Sequence, residues 1–329
     1  MSALFQTTKN VFRRLFVQEN SIRASILAAL LIGLGVMTRG IAISPSNVGN
    51  ILLQSATRGI ASIGQTFVML TAGIDLSIGG LALMGALFAS KLMTERVDEQ
   101  ILTFTTPLSV TVLIAILVGL GVGAVNGSLI ARLRIPAFIV TLGMWLIARS
   151  TALVISEGHT VLGVPRRFAF FGQSKLAGVP VPVIILIVAI VIAYYVLNHT
   201  KFGRNVYTVG GNPVSAFLSG INTKQVLLVV YMISGFLAVV AGLLILSRNM
   251  MGTNSMVYGL ELDSIAACVV GGVSLFGGRG SLAGVVLGVM IIGVINNGLI
   301  ILKIDPALQD LVKGGIIFAA VAANSFRRR

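Results

Sequence analysis

Long apolar blocks separated by short polar breaks dominate the chain, and they far exceed the about four to eight residues of a buried strand. Mostly apolar windows fall at 24–43, 51–74, 78–93, 107–131, 136–156, 180–198, 225–246, 263–277, 281–302 and 308–324. A helix needs about 20 such residues to cross a bilayer. The pattern therefore predicts an all-α, polytopic transmembrane helical bundle of about eight to ten spans. The second, third and eighth windows are the weakest. Gln54, Arg58 and Gln65 interrupt the second, and the other two are short enough to be re-entrant or packed inside the bundle.

Polar breaks divide the chain into a basic segment 1–23, a membrane domain 24–324 and a basic tail 325–329. The 24 Lys and Arg against 10 Asp and Glu would suggest nucleic acid as partner for a soluble protein. With 56% hydrophobic and 10% charged residues the excess reads instead as membrane sidedness. Ten spans put both ends on one side. The pieces 1–23, 132–135, 199–224, 278–280 and 325–329 then hold thirteen basic residues and one acidic residue, Glu19. The opposite loops carry both signs in similar number, and Glu95, Asp98 and Glu99 mark 94–106 as external. Both termini are thus expected in the cytoplasm, with the first 23 residues retained, since no cleavage site follows the basic start.

Several chemistries are missing. No Gly-Lys pair precedes a Ser or Thr, so there is no phosphate-cradling P-loop. Gly278-Arg279-Gly280-Ser281-Leu282-Ala283 mimics a dinucleotide fingerprint but follows an apolar span instead of a strand. His159 and His199 fall in loops on opposite sides, and the single cysteine, Cys268, excludes an intramolecular disulfide. Neither a catalytic centre nor a metal site nor a cofactor is expected. Transport remains, and the residues that inform it are polar groups inside the membrane.

Asp75 sits where two apolar runs meet, and a carboxylate there costs roughly 2.5 kcal/mol or more unless it has a partner. Asp75 and Ser77 suit the start of the following helix as caps, and they equally suit a gate or the wall of a passage. Gln65, Asn126, Asn296 and Asn297 are further candidates for a polar path, with hydrogen bonding between helices as the alternative. Arg58 and Arg149 either snorkel, pair or face a wet interior. Gly119, Gly123 and Gly127, and again Gly280, Gly284 and Gly288, recur every four residues; such faces bring helices close, within the bundle or at a moving or dimeric interface.

The loop 199–224 carries a helix of its own. Asn212 is a good N-cap, Pro213 suits the first helical position, and Gly220 suits the end. Val214, Phe217, Leu218 and Ile221 then present apolar groups on the cytoplasmic side. That is either a docking knob or a helix lying on membrane lipid.

Taken together, Gly73 through Gly80, Arg134 through Gly143, Thr200 through Arg204 followed by Gly210-Gly211-Asn212 and Leu218-Ser219-Gly220-Ile221, Glu261 through Ala267, Val269 through Gly280 and Asn296-Asn297-Gly298-Leu299 resemble the permease subunits of ribose-type ABC importers of simple sugars. The likeness runs from about residue 50 to the carboxyl end. It implies a multi-pass protein of the bacterial inner membrane that carries a monosaccharide or similar small polar solute. It also implies three partners: a cytoplasmic ABC ATPase, an extracytoplasmic solute-binding protein and a second permease copy or close paralogue. Gly211, Asn212, Pro213, Phe217, Leu218, Gly220 and Ile221 would form the ATPase-coupling helix. Two departures stand out: Gly80 where a Ser is common, and Phe217 in place of a frequent basic residue. The competing reading is a self-sufficient secondary transporter or facilitator of a small polar solute; the absence of an acidic chain across the membrane disfavours the secondary transporter.

Overall fold

The computed structural model describes residues 2–101 and 105–326, with side chains from residue 19 onward except 99, 317, 320, 321 and 323–326. The Arg327–Arg329 tail and the side chains of Lys9, Arg13 and Arg14 lie outside this description. Among the described residues the chain is helical almost throughout: α1 (Ser2–Met37), α2 (Pro45–Leu70), α3 (Ser77–Met93), α4 (Leu108–Leu133), α5 (Ala137–Ile155), α6 (Ala169–Gln173), α7 (Val181–His199), α8 (Lys201–Gly211), α9 (Pro213–Leu218), α10 (Thr223–Asn249), α11 (Leu260–Val270), α12 (Leu282–Ile301) and α13 (Pro306–Phe326). A two-residue hairpin pairs Lys175–Leu176 with Val179–Pro180.

Among the described residues, six segments are long and apolar enough to cross a membrane: Glu19–Met37 within α1, and α4, α5, α7, α10 and α12. The three weak windows depart from simple spans for physical reasons. From Ser55 to Leu70 almost every residue of α2 is buried, so Gln65 is shielded by protein. The α3 helix is apolar on all sides and is buried on nearly all of them, as a helix without a polar face must be. The α11 helix ends at Val270, eleven residues and roughly 16 Å from its start. The apolar run continues as the irregular segment 271–281, in which Gly272, Gly277 and Gly278 take positive φ. The α1 helix runs through residue 23 without interruption.

The α10 helix is the hub, packing on α2, α3 and α4. The glycine stripe of α4 serves this contact: a Cβ at Gly119 would meet the Gly235 carbonyl, and one at Gly123 the Tyr231 carbonyl. Gly284 and Gly288 likewise admit the backbone of Gly271, just past α11, and of Ala267 within it, while Gly280 precedes α12. Leu113 and Leu117 of α4, Ile139 and Leu146 of α5, and Ile187 and Val191 of α7 face outward, as lipid contact allows.

Loops expected to share a side gather at one end of the bundle. The Gly278 amide donates to the Leu70 carbonyl and the Tyr207 hydroxyl to the Gly280 carbonyl, joining the α2–α3 turn, α8 and segment 271–281. At the other end, Glu95 pairs with Gly163 and Val161 with Gly252 through the backbone, and Lys91 meets Glu157 at 3.4 Å.

Candidate functional site

Four helices converge on Asp75. The chain leaves α2 at Leu70, turns through 71–76 and enters α3 at Ser77. One Asp75 carboxylate oxygen accepts the Ser77 amide at 2.9 Å and the Ser77 hydroxyl at 2.5 Å, and the other accepts the Ser234 hydroxyl of α10 at 2.6 Å. The Asn126 amide of α4 donates to the Ser77 hydroxyl at 3.0 Å. Asp75 therefore does bind a backbone amide at the start of α3, while Ser77 is the first helical residue and not a cap. Three sequence candidates, Asp75, Ser77 and Asn126, form one buried chain of donors and acceptors. Ser234 completes it. Its only signal in the sequence is a hydroxyl beside Gly235 at a close helix crossing, where Gly64 also packs on the Ser234 backbone.

Gln65 is equally buried but stands apart, with neither side-chain polar atom hydrogen-bonded among the described residues. The Tyr231 hydroxyl, also without a hydrogen-bond partner there, lies where a Cβ on Gly73 would sit.

Asn296 and Asn297 belong to a different place. Asn297 and Asn47 exchange amide hydrogen bonds of 2.8 and 3.0 Å, clasping α12 to α2. Asn296 donates to Asp263 of α11 at 3.3 Å; the same carboxylate takes Arg58 Nε at 2.8 Å and lies 3.7 Å from Lys313 Nζ. A cavity of about 70 Å³ beside them is lined by Gln54, Thr57, Arg58, Arg248, Tyr258 and Asp263 among others. The other polar candidates thus gather at two stations, one around Asp75 and one around Asn296 and Asn297, with Gln65 hydrogen-bonded to neither among the described residues.

The helix foreseen in the loop 199–224 is α9. The Asn212 side chain accepts the amides of Val214 and Ser215 at 3.0 Å each, Pro213 opens the helix, and Gly220 closes it at φ +79°. Ala216 is buried beneath, and Ile221 packs toward the core, whereas Val214, Phe217 and Leu218 are 66%, 69% and 79% exposed. Sequence reasoning missed how the helix is mounted. Gly210 and Gly211 end α8 against the Leu70 carbonyl and Gly278, so that α8, the α2–α3 turn and segment 271–281 meet at glycines. A groove of about 1030 Å³ separates α9 from residues 71–73 and 130–137, with Tyr231 in its wall.

Comparison with known proteins agrees with this architecture. The family described as branched-chain amino acid transport system / permease component matches residues 47–321. The chain is 37% identical to the ribose import permease protein of Escherichia coli, over 97% of this chain and 99% of the relative. It is 37% identical to the D-allose transport system permease protein of Escherichia coli, over 91% and 89%. It is 36% identical to the galactose/methyl galactoside import permease protein of Salmonella typhimurium, over 85% and 87%. No solved structure matches the chain. A bundle with membrane-crossing helices, matched along nearly its whole length by import permeases, belongs to this permease family and is an inner-membrane permease component of a bacterial ABC importer.

Proposed function

We propose that this chain carries a monosaccharide into the cytoplasm, driven by separate ATPase subunits that dock on α9. The observation that carries the reading is the match to the ribose import permease over 99% of that protein's length. An extracytoplasmic binding protein delivers the solute, and a second permease copy or close paralogue completes the passage. Phe217, Leu218 and Val214 offer the ATPase an apolar knob on a helix whose start and end are both capped. The glycine contacts around Gly210 and Gly278 carry its displacement to the α2–α3 turn. There the network of Asp75, Ser77, Asn126 and Ser234 ties that turn to α4 and α10, so a push on α9 reaches the helices around Asp75. Gln65, Asn296 and Asn297 complete the set of polar residues assigned to the passage or its gate. Uptake of labelled D-ribose, D-allose, D-galactose and D-fructose, measured in cells that express the whole importer with and without this chain, tests the reading. Accumulation of at least one sugar should require the chain. Dependence of none on it would overturn the monosaccharide assignment.

A further inference from the structure

Outside the groups described so far, one charged cluster lies in the middle of a span. Trp145 and Arg149 stand one turn apart midway along α5. The Arg149 guanidinium lies 5.7 Å from the centre of the Trp145 ring, and the Trp145 side chain stands beside Glu261 in the first turn of α11. All three residues are half-buried. The first turn of α3 is shaped around them: a Cβ on Gly79 would collide with the Glu261 carboxylate, and one on Gly80 would lie 2.8 Å from the Trp145 carbonyl.

The arrangement is costly if it has only a structural role. Among the described residues neither Arg149 nor Glu261 forms an ion pair within 4 Å, although the Arg149 charge acts on the carboxylate from farther away. Unpaired charges at mid-span face water or a solute, because lipid does not solvate them. Here a guanidinium donor, a carboxylate acceptor and a flat aromatic ring stand side by side. A monosaccharide offers the complement, with hydroxyls for the two charged groups and an apolar C–H face for the indole.

We propose that Trp145, Arg149 and Glu261 form a sugar-contact station in the passage, with the ring face on the indole and hydroxyls on Glu261 and Arg149. This rests on the monosaccharide reading above. Since the binding protein captures the solute first, the station governs the rate at saturating solute more than the concentration that half-saturates uptake.

The chain contains a single tryptophan, so its intrinsic fluorescence reports this position. The purified permease in lipid nanodiscs is titrated with D-ribose, D-allose, D-galactose and D-fructose, with glycerol at equal concentration as the control for bulk effects. The same four sugars are assayed for uptake by the whole importer. A sugar that is taken up should change the Trp145 emission beyond the glycerol response, and Glu261→Gln should abolish that change. Glu261→Gln and Trp145→Ala should each lower the maximal uptake rate roughly tenfold at matched membrane levels, as loss of a charged hydrogen-bond partner or an aromatic anchor does. Trp145→Phe should retain most of it. If a sugar is taken up by the wild type and by both damaging variants at equal rates, without any emission change beyond glycerol, the station is refuted while the function stands. If no sugar is taken up, the monosaccharide reading fails and the station with it.

Discussion

A single carboxylate, Asp75, receives three hydrogen bonds from two helices while 1% exposed. Removing the charge and removing the acceptor are therefore different perturbations. Asp75→Asn keeps an oxygen for the Ser77 amide, and the Ser234 hydroxyl can turn to accept from the new NH₂; the expected cost is about 1 kcal/mol or less, since Asn caps as well as Asp. Asp75→Ala strands a buried amide and two hydroxyls, with an expected cost of roughly 2 to 3 kcal/mol. Thermal unfolding of the purified permease should rank wild type, Asn and Ala in that order, and equal stability of all three would deny the network any structural weight. Asp75 was legible because an acid in an apolar run must be answered by something. Ser234 was not, since a serine there carries no comparable penalty and its partner is 159 residues away.

At the scale of elements, the start and end of α9 were legible, its mounting was not, and α11 was legible only in part. The signals for α9 are local: a side chain that caps, a proline that starts, and a glycine that ends at φ +79°. The α11 window looked like a span because apolar residues continue past Val270. Hydropathy alone does not distinguish a helix from an irregular apolar segment such as 271–281. Two substitutions probe α9 by separate routes. Phe217→Ala removes the largest apolar group of the proposed knob; with about 2 kcal/mol for an aromatic anchor and about 1.4 kcal/mol per tenfold, ATPase association should weaken roughly thirtyfold. Gly220→Val asks a β-branched residue to adopt a left-handed backbone, which deforms the end of α9 without touching the knob. Pull-down of the ATPase at matched permease levels should show losses in both. Wild-type binding by both would make α9 a helix resting on lipid and move the coupling site to the loop around Arg132 and Arg134.

For the whole molecule, the alternation of sides follows from helices that reverse at each loop, and the structure gives that alternation a physical test. The loops 71–76, 199–222 and 271–281 meet at one end, while 94–101, 156–180 and 250–259 meet at the other. The basic excess predicts that the first end faces the cytoplasm, because Lys and Arg accumulate there. Not every basic residue is a sidedness signal, however. Arg23 is 8% exposed and is held by the Val270 carbonyl, Asn20 and Glu19, so it clamps α1 onto the end of α11 and would be retained whichever way the chain faced. Lys201, Arg204 and Lys224 around α9 and Arg132 and Arg134 before α5 carry the argument instead. Reporter fusions after Asn222 and after Arg329 should be active only in cytoplasmic form, and a fusion after Gln100 only in external form. External activity at Asn222 would invert the whole bundle and place α9 out of an ATPase's reach. External activity at Arg329 alone would leave the bundle in place and show that α13 does not cross.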